Sequence, residues 1–495
     1  MRQVTIDPVT RIEGHGRVEV FLDDSGGVSS AYFVVPELRG FERLCVGRPV
    51  EEMPSLTSRV CGLCPEAHHL ASAKALDTLF GVEPPPAARA IRELLYMAFV
   101  VSNHATHFFA LAGPDFLIGD EVEEDQRTLF GVLRKMGPVF ARRVLANRSN
   151  NHEVIELLGG RRIHPVAALP GGWSRRVTEQ MREHIIEVAE ENVAFAQDCM
   201  RLYQEEVVSR PGHLELVVSE VFTQPTCSMG TVDEAGRLSF YDGKLRVVDP
   251  VGSEVVSFPP ADYRSHIAEH VEPWTYVKLP YLRSLGWNGL AVESGSGIFA
   301  VGPLPRLNAA DGLTTPLAQR AFVTMYETLG GWRQEGRHRP LHHRLAGHWA
   351  RLVEQLNAAE RMLELATLPE LTDREVRAAV PENPVVTEAV GSVEAPRGTL
   401  LHRYTTDSAG IVTAVDLIVA TTINHAAIAL GVTAAARSLI SPSSEITDEV
   451  LNRIEMAIRA HDPCLACATH TLPGNMPLEV AVRDPSGRQT GVIRR

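Results

Sequence analysis

Apolar and polar residues alternate along GRVEVFLDD, break at Ser25-Gly26-Gly27 and resume through VSSAYFVV. Period-two patterning on both sides of a glycine-rich turn predicts a β-hairpin near the N-terminus. A helical pattern follows over residues 39–80. Pro84-Pro85-Pro86 interrupts it, and prolines are tolerated just ahead of a new helix. That helix is expected from about Ala87, with Gly113-Pro114 as its stop. Another runs from Arg175 to about Val208, with Ile185, Ile186, Val188, Ala189, Val193, Phe195, Ala196 and Met200 at roughly helical spacing. RLSFYDGKLRVVD, residues 237–249, reads as a hairpin turning at Asp242-Gly243. Residues 316–368 are rich in Ala, Leu and Glu and predict helix. A third β patch covers residues 398–421, a helix covers about 443–461, and VAVRDPSGRQTGVIRR closes the chain as a last hairpin. The pattern predicts an α+β class, predominantly helical, with a long-helix core and peripheral antiparallel β-hairpins.

The most apolar window, LLYMAFVVSNHATHFFALA, has nearly the length of a membrane span. Ser102, Asn103, His104 and His107 sit near its middle, so a buried core helix is expected and no membrane span. The 495-residue chain has a net charge of −13, which argues against a nucleic-acid-binding face. MRQVTIDPVTRIEG has no apolar stretch of the kind a signal peptide needs, and a cytoplasmic location is expected.

Cysteine changes the picture. Cys45, Cys199 and Cys227 are scattered, whereas Cys61/Cys64 and Cys464/Cys467 form two CxxC pairs. Two intervening residues let both sulfurs of a pair reach one metal. The pairs lie 400 residues apart (464 minus 64), whereas a local zinc ribbon closes within about 15–20 residues. Joining both ends of the chain at one site requires the whole fold, and the sequence pattern marks domain boundaries only weakly. Four thiolates suit zinc, iron, copper or nickel, and the spacing does not choose among them. A structural zinc site, or coincidence, is the plainer reading of either pair by itself.

The words around the pairs are more specific. Arg59-x-Cys61-Gly62-x-Cys64-x-x-x-His68 and Asp462-Pro463-Cys464-x-x-Cys467-x-x-His470 resemble the two signature motifs of the nickel–iron hydrogenase large subunit. DPVTRIEGHGRVEV, RGFE, RRIHPVAALPGG, VGPLPRLN, EAPRGTLLH and VATTINHAAI are similar to landmarks of that family and stand in its order. The phrasing is nearest to the soluble group that passes electrons to NAD(P) or a similar carrier.

The resemblance implies a hydrogenase large-subunit fold and reversible cleavage of dihydrogen to protons and electrons. By motif position Cys61 and Cys464 would bind nickel terminally. Cys64 and Cys467 would bridge it to an iron carrying carbon monoxide and cyanide. Glu13 in RIEGH would relay the proton, since a carboxyl in an apolar pocket has a raised pKa. Without the motif, a surface glutamate would be the plainer reading. Arg397 in APRG would overhang the metals with a fixed charge, with Pro396 beside it, and Cys464 would act as the base. Thr421 and Thr422 would hydrogen-bond a cyanide, although Ala420 and Ile423 stand where many members have proline and tryptophan. Asn103 replaces an acid found in many members. Glu42 and His470, with the backbone oxygen of Leu417, would hold a magnesium (or iron) ion. Glu66 and His68 would belong to the hydrogen-bond shell of the cysteines, and His104 and His107 to helix packing.

Three scattered cysteines cannot ligate a standard iron–sulfur cluster, so no such cluster is expected in this chain. The resemblance supplies an iron–sulfur small subunit, and further diaphorase-type or electron-carrier subunits. It also supplies a maturation endopeptidase that would remove the 25 residues after His470 (495 minus 470). A hydrogen-sensing protein with low turnover is the alternative.

Overall fold

The computed structural model describes residues 2–291, 295–332, 338–443, 445–470, 479–483 and 488–494. Its helix Pro86–Thr106 is apolar nearly all round because nearly every side is covered. It packs against the helices Gly347–Ala366 and Leu129–Gly159, and Gly347–Ala366 packs in turn on Glu179–Tyr203. A helix enclosed in this way reads as membrane-like in composition while lying in a protein core. Most of the apolar window is buried inside the protein, so the expectation of a core helix agrees with the structure.

Gly113-Pro114 does not stop this helix. The chain continues through π-helical turns at His107–Ala112 and Asp115–Gly119, with Gly113 and Pro114 both in right-handed helical geometry. A Cβ on Gly113 would lie 1.8 Å from the Phe108 carbonyl oxygen, so the glycine permits the tight wind. The wider π turn removes the need for the proline's missing N–H.

Leu129–Gly159 has no counterpart among the expected elements. About half of its residues are apolar, but Gly137-Pro138 interrupts the run, and Asn147 and Asn151 take buried positions that a hydrophobic pattern does not mark. It breaks at Gly137, whose φ of 81° precedes Pro138, because a residue before proline is driven out of helical geometry. Residues 39–80 are helical only in part. Short turns at Phe41–Cys45 and Met53–Thr57 precede the long helix Pro65–Phe80, with the first CxxC in the gap. The expected stretch 316–368 divides into Pro316–Thr328 and Gly347–Ala366. The helix expected from Arg175 starts at Glu179, where the Thr178 hydroxyl accepts from the Met181 N–H at 3.2 Å.

The N-terminal hairpin forms as expected, Arg17–Leu22 against Val28–Val34, and gains the strand Arg2–Ile6 on its outer edge. The hairpin expected at residues 237–249 is a correction. Lys244–Val248 pairs with Cys227–Val232 and Glu254–Phe258, and RLSFY is not a strand. Its Phe240 carbonyl instead accepts from the Glu394 N–H. The C-terminal patch forms a meander of Glu388–Ala395, Gly398–Thr406 and Val412–Ile418. Its first hairpin pairs Ala395 with Gly398, leaving Pro396 and Arg397 alone at the tip. Gly391 of this sheet lies so near the helix Pro65–Phe80 that a Cβ would meet the Ala71 carbonyl oxygen at 2.0 Å. Glu479–Arg483 and Gln489–Arg494 pair antiparallel as the last hairpin. The expected cut after His470 falls at residues 471–478, outside the described residues.

Candidate metal centre

Each cysteine pair sits where a helix begins. Cys61 and Cys64 bracket the loop between the 3-10 turn Ser58–Val60 and the helix Pro65–Phe80, whose cap is Cys64. Pro65 at the first helical position fits, because that N–H has no helical partner. Cys464 caps the short helix Leu465–Ala468, which carries Cys467. The N-terminal segment meets this turn directly. Glu13 bridges in parallel to Cys464, and the Leu465 N–H donates to the Glu13 carbonyl at 3.0 Å. Gly14 is needed there: its φ is 85°, and a Cβ would fall 2.7 Å from Leu465 Cβ.

The four sulfurs lie within 4.8 Å of one another, all buried. Cys61 and Cys464 are 3.0 Å apart, Cys64 and Cys467 3.2 Å, and Cys464 and Cys467 3.0 Å, with every cysteine free. Hydrogen bonds from the other thiols, Cys464 first, draw the Cys61 pKa down, whereas burial pushes Cys464 and Cys467 up. A cluster so crowded can ionise fully only around a cation. The donor set therefore fits a soft or borderline metal. Cys45, Cys199 and Cys227 lie in three separate apolar clusters.

Glu13 Oε2 accepts from the Cys464 thiol at 3.1 Å and from the Ala466 N–H at 3.0 Å. Burial, then the Cys61 thiolate, raises its pKa; the hydrogen bonds and Arg397 oppose them. Its segment is anchored by Arg11, which donates to the Leu111 carbonyl at 2.9 Å and pairs with Asp115.

Arg397 stands at the hairpin tip over the thiols. Its Nε donates to the Asp462 carbonyl at 2.8 Å and its Nη2 to Asp462 Oδ1 at 3.2 Å, while Nη1 is buried without a partner. Burial works against its charge, but Asp462 and the thiolates hold its pKa above the ordinary value. Arg397 divides two cavities. One, of about 270 Å³, is lined by Cys64, Cys464, Cys467, His68 and Thr421 with apolar Leu400 and Val419. The other, of about 450 Å³, is lined by Leu63, Glu66, Asn103 and Arg148.

Thr421 Oγ1 accepts from the Cys464 N–H at 2.9 Å, leaving its own proton free, and Thr422 Oγ1 is buried without a partner. Both hydroxyls can therefore donate. Pro396 does not line the smaller cavity; its carbonyl accepts from Arg351 at 3.0 Å. His68 Nε2 lies 3.4 Å from Cys467 Sγ, and its Nδ1 meets His402 at 3.0 Å. His402 continues to the Tyr404 hydroxyl at 2.8 Å. Glu66 departs from expectation. Among the described residues no sulfur hydrogen-bonds its carboxyl; it lines the larger cavity, and burial pushes its pKa up to about 8. Asn103 Nδ2 donates to the Leu63 carbonyl at 2.7 Å. His104 pairs with Glu354 at 3.0 Å, and His107 stacks on His348.

A second donor set lies beneath. His470 Nδ1 bonds to the Cys467 carbonyl at 2.7 Å, which leaves Nε2 buried, unpartnered and 3.6 Å from Glu42 Oε1. The Leu417 N–H donates to the same Glu42 oxygen at 2.8 Å. An orphaned imidazole nitrogen beside a carboxylate fits a divalent cation.

Three groups carry weight that the sequence reading missed. Arg306, of VGPLPRLN, donates to Glu354 (2.7 Å), Glu394 (2.9 Å) and the carbonyls of Ala395 (2.6 Å) and Pro396 (3.4 Å), all fully or nearly buried. It thereby holds the Arg397 tip from behind. Asp462, with a φ of 51°, orients Arg397, and its presence in the second motif was the available signal. Glu269 pairs with Lys278 at 2.7 Å within electrostatic reach of His470, and nothing in its sequence context marks it.

Residues 39–127 and 222–470 match the family described as nickel-dependent hydrogenase, and residues 3–38 match one described as HoxL-like. The chain is 44% identical over 494 residues, the whole of both proteins, to the iron-sulfur subunit of an F420-non-reducing hydrogenase from Archaeoglobus profundus. It is 38% identical over 499 residues, 98% of each chain, to the NAD-reducing hydrogenase HoxS subunit beta of Cupriavidus necator. A solved NAD+-reducing [NiFe]-hydrogenase in the H2-reduced state superposes with a TM-score of 0.86 at 37% identity, over 95% of this chain and 100% of that one.

Proposed function

The chain belongs to the nickel-dependent hydrogenase family as the large subunit of a nickel–iron enzyme, and on that premise we propose that it catalyses reversible heterolytic cleavage of dihydrogen. The observation that carries the reading is the Cys464 thiol held on Glu13 Oε2 at 3.1 Å inside the four-thiol cluster. Cys61, Cys64, Cys464 and Cys467 would hold nickel and an iron with carbon monoxide and cyanide ligands. When bound, that group supplies the Lewis acidity and redox chemistry for splitting dihydrogen.

The residues of the chain supply the proton chemistry and the surroundings. Cys464 Sγ takes the proton and passes it to Glu13 Oε2, whose pKa burial raises, which favours its holding the proton in passing. Arg397 presents its free Nη1 as a fixed cation beside the thiols, as an anionic ligand set would require. The Thr421 and Thr422 hydroxyls are available to cyanide nitrogens. The apolar walls at Leu400 and Val419 admit a small neutral gas and disfavour water. Glu42, His470 and the Leu417 carbonyl would hold a magnesium ion that ties the C-terminal turn to the sheet.

Electrons would leave through an iron–sulfur small subunit, then diaphorase-type or carrier subunits, to NAD(P) or another soluble acceptor in the cytoplasm. The NAD-reducing relative supports that choice. An endopeptidase would remove the 25 residues after His470 (495 minus 470), and the intact mass of active protein would be shorter by that segment. The deciding experiment is metal analysis and infrared spectroscopy of the purified complex, with hydrogen-dependent dye reduction. Nickel with iron, carbon monoxide and cyanide bands, and rapid reduction are expected. Zinc as the sole metal would overturn the reading.

A further inference from the structure

A third, small cavity lies behind Arg351, where Arg344, Arg351 and His461 face it beside the apolar Val301, Leu304 and Pro305. Two cations and, among the described residues, no carboxylate face it. Arg344 is 5% exposed, yet among the described residues it makes no ion pair. It donates to the Gln224 carbonyl at 2.9 Å and to the Thr226 hydroxyl, both neutral groups. Burial lowers its pKa to about 10. A buried cation without a counter-charge is costly, so a site of this kind normally holds one.

Arg351 is 1% exposed, and it spends one edge on Asp462 at 3.3 Å and on the Pro396 carbonyl at 3.0 Å. Its Nε is buried with no partner. His461, 8% exposed, leaves Nε2 unpartnered as well.

We propose that this cavity, between Arg344, Arg351 and His461, is a binding site for a small monovalent inorganic anion of halide size. Its walls leave room for about one water-sized body, which favours a halide over phosphate or sulfate. The anion neutralises Arg344 and accepts the spare N–H of Arg351. Arg351 holds Asp462, and Asp462 orients Arg397, so the occupant lies two residues behind the arginine that overhangs the thiols.

The test uses the assembled enzyme. Crystals soaked in bromide should show an anomalous peak between Arg344, Arg351 and His461 in the wild type, and none in Arg344→Met. In solution at constant ionic strength, replacing gluconate by chloride should raise the melting midpoint by about 1 °C per tenfold chloride above the Kd. Arg344→Met should lose that response. The solution measurement on wild type stands even if the variant fails to fold. An empty cavity in bromide-soaked wild type, a chloride response absent from wild type, or one unchanged in Arg344→Met would each overturn the proposal. None of these outcomes bears on the thiol site, whose metal content is measured separately.

Discussion

Arg306→Met removes a guanidinium that touches neither the thiols nor their cavity. Two buried carboxylates depend on it. Glu354 receives its Nη2 at 2.7 Å and Glu394 its Nη1 at 2.9 Å. Glu354 would keep His104, and Glu394 would keep the Thr231 and Thr399 hydroxyls, each at 2.8 Å. Breaking a buried ion pair from one side costs about 3–5 kcal/mol. The orphaned Ala395 carbonyl adds about 1–3 kcal/mol. The sum is about 4–8 kcal/mol. At about 2 cal/mol/K per residue, 495 residues have an unfolding entropy near 1 kcal/mol/K, so the melting midpoint should fall by about 4–8 °C. Hydrogen-dependent dye reduction should fall too, because the hairpin tip that carries Arg397 loses its rear support. Arg306→Met combined with Glu354→Leu should melt above the single variant, since it leaves one unpaired buried carboxylate, Glu394, instead of two. A midpoint loss under about 1 °C in the single variant, or a double variant no better than it, would refute the reasoning.

Glu13→Gln keeps an acceptor for the Cys464 thiol but cannot exchange a proton, so turnover should drop by about 10²–10⁴ with nickel content unchanged; assay and metal analysis on one preparation check this. Glu66 has a folded pKa near 8, raised by burial, so its ionisation opposes folding. Wild-type stability should fall as pH rises from about 4.5 to about 8, by several kcal/mol, and level off above. Glu66→Gln should remove that slope and melt higher than wild type at about pH 9 but not at about pH 5; parallel slopes in the two proteins would contradict it. Asn103→Asp can donate to the Leu63 carbonyl only while protonated, so its activity should decline with rising pH relative to wild type, and matching pH profiles would argue against this.

Local chemistry made much of this protein readable. Alternation and the glycine-rich turn announced the hairpin Arg17–Leu22 with Val28–Val34, because register and turn act over a few residues. The helix Glu179–Tyr203 shows its core face at helical period, and Thr178 marks its start. Misreadings came where distant contacts outweigh local preference. Gly113-Pro114 looks like a terminator, yet packing carries the chain through π turns. Asp242-Gly243 looks like a hairpin turn, yet Lys244–Val248 finds its partners elsewhere.

The site divides in the same way. The sequence by itself determined which atoms can serve: four thiols in two pairs, a carboxyl in RIEGH, an arginine in APRG and a histidine three residues past the last cysteine. Donor chemistry belongs to the side chain and travels with it. Tertiary structure decided that those thiols meet within 4.8 Å although the two pairs stand at opposite ends of the chain, and that the Cys464 thiol lies on Glu13. It also decided which charges are neutralised. Arg306 is matched by Glu354 and Glu394, whereas Arg344 is enclosed with no carboxylate among the described residues. Pairing and burial of charge depend on distances between segments far apart in the chain, and only the packed core sets those distances.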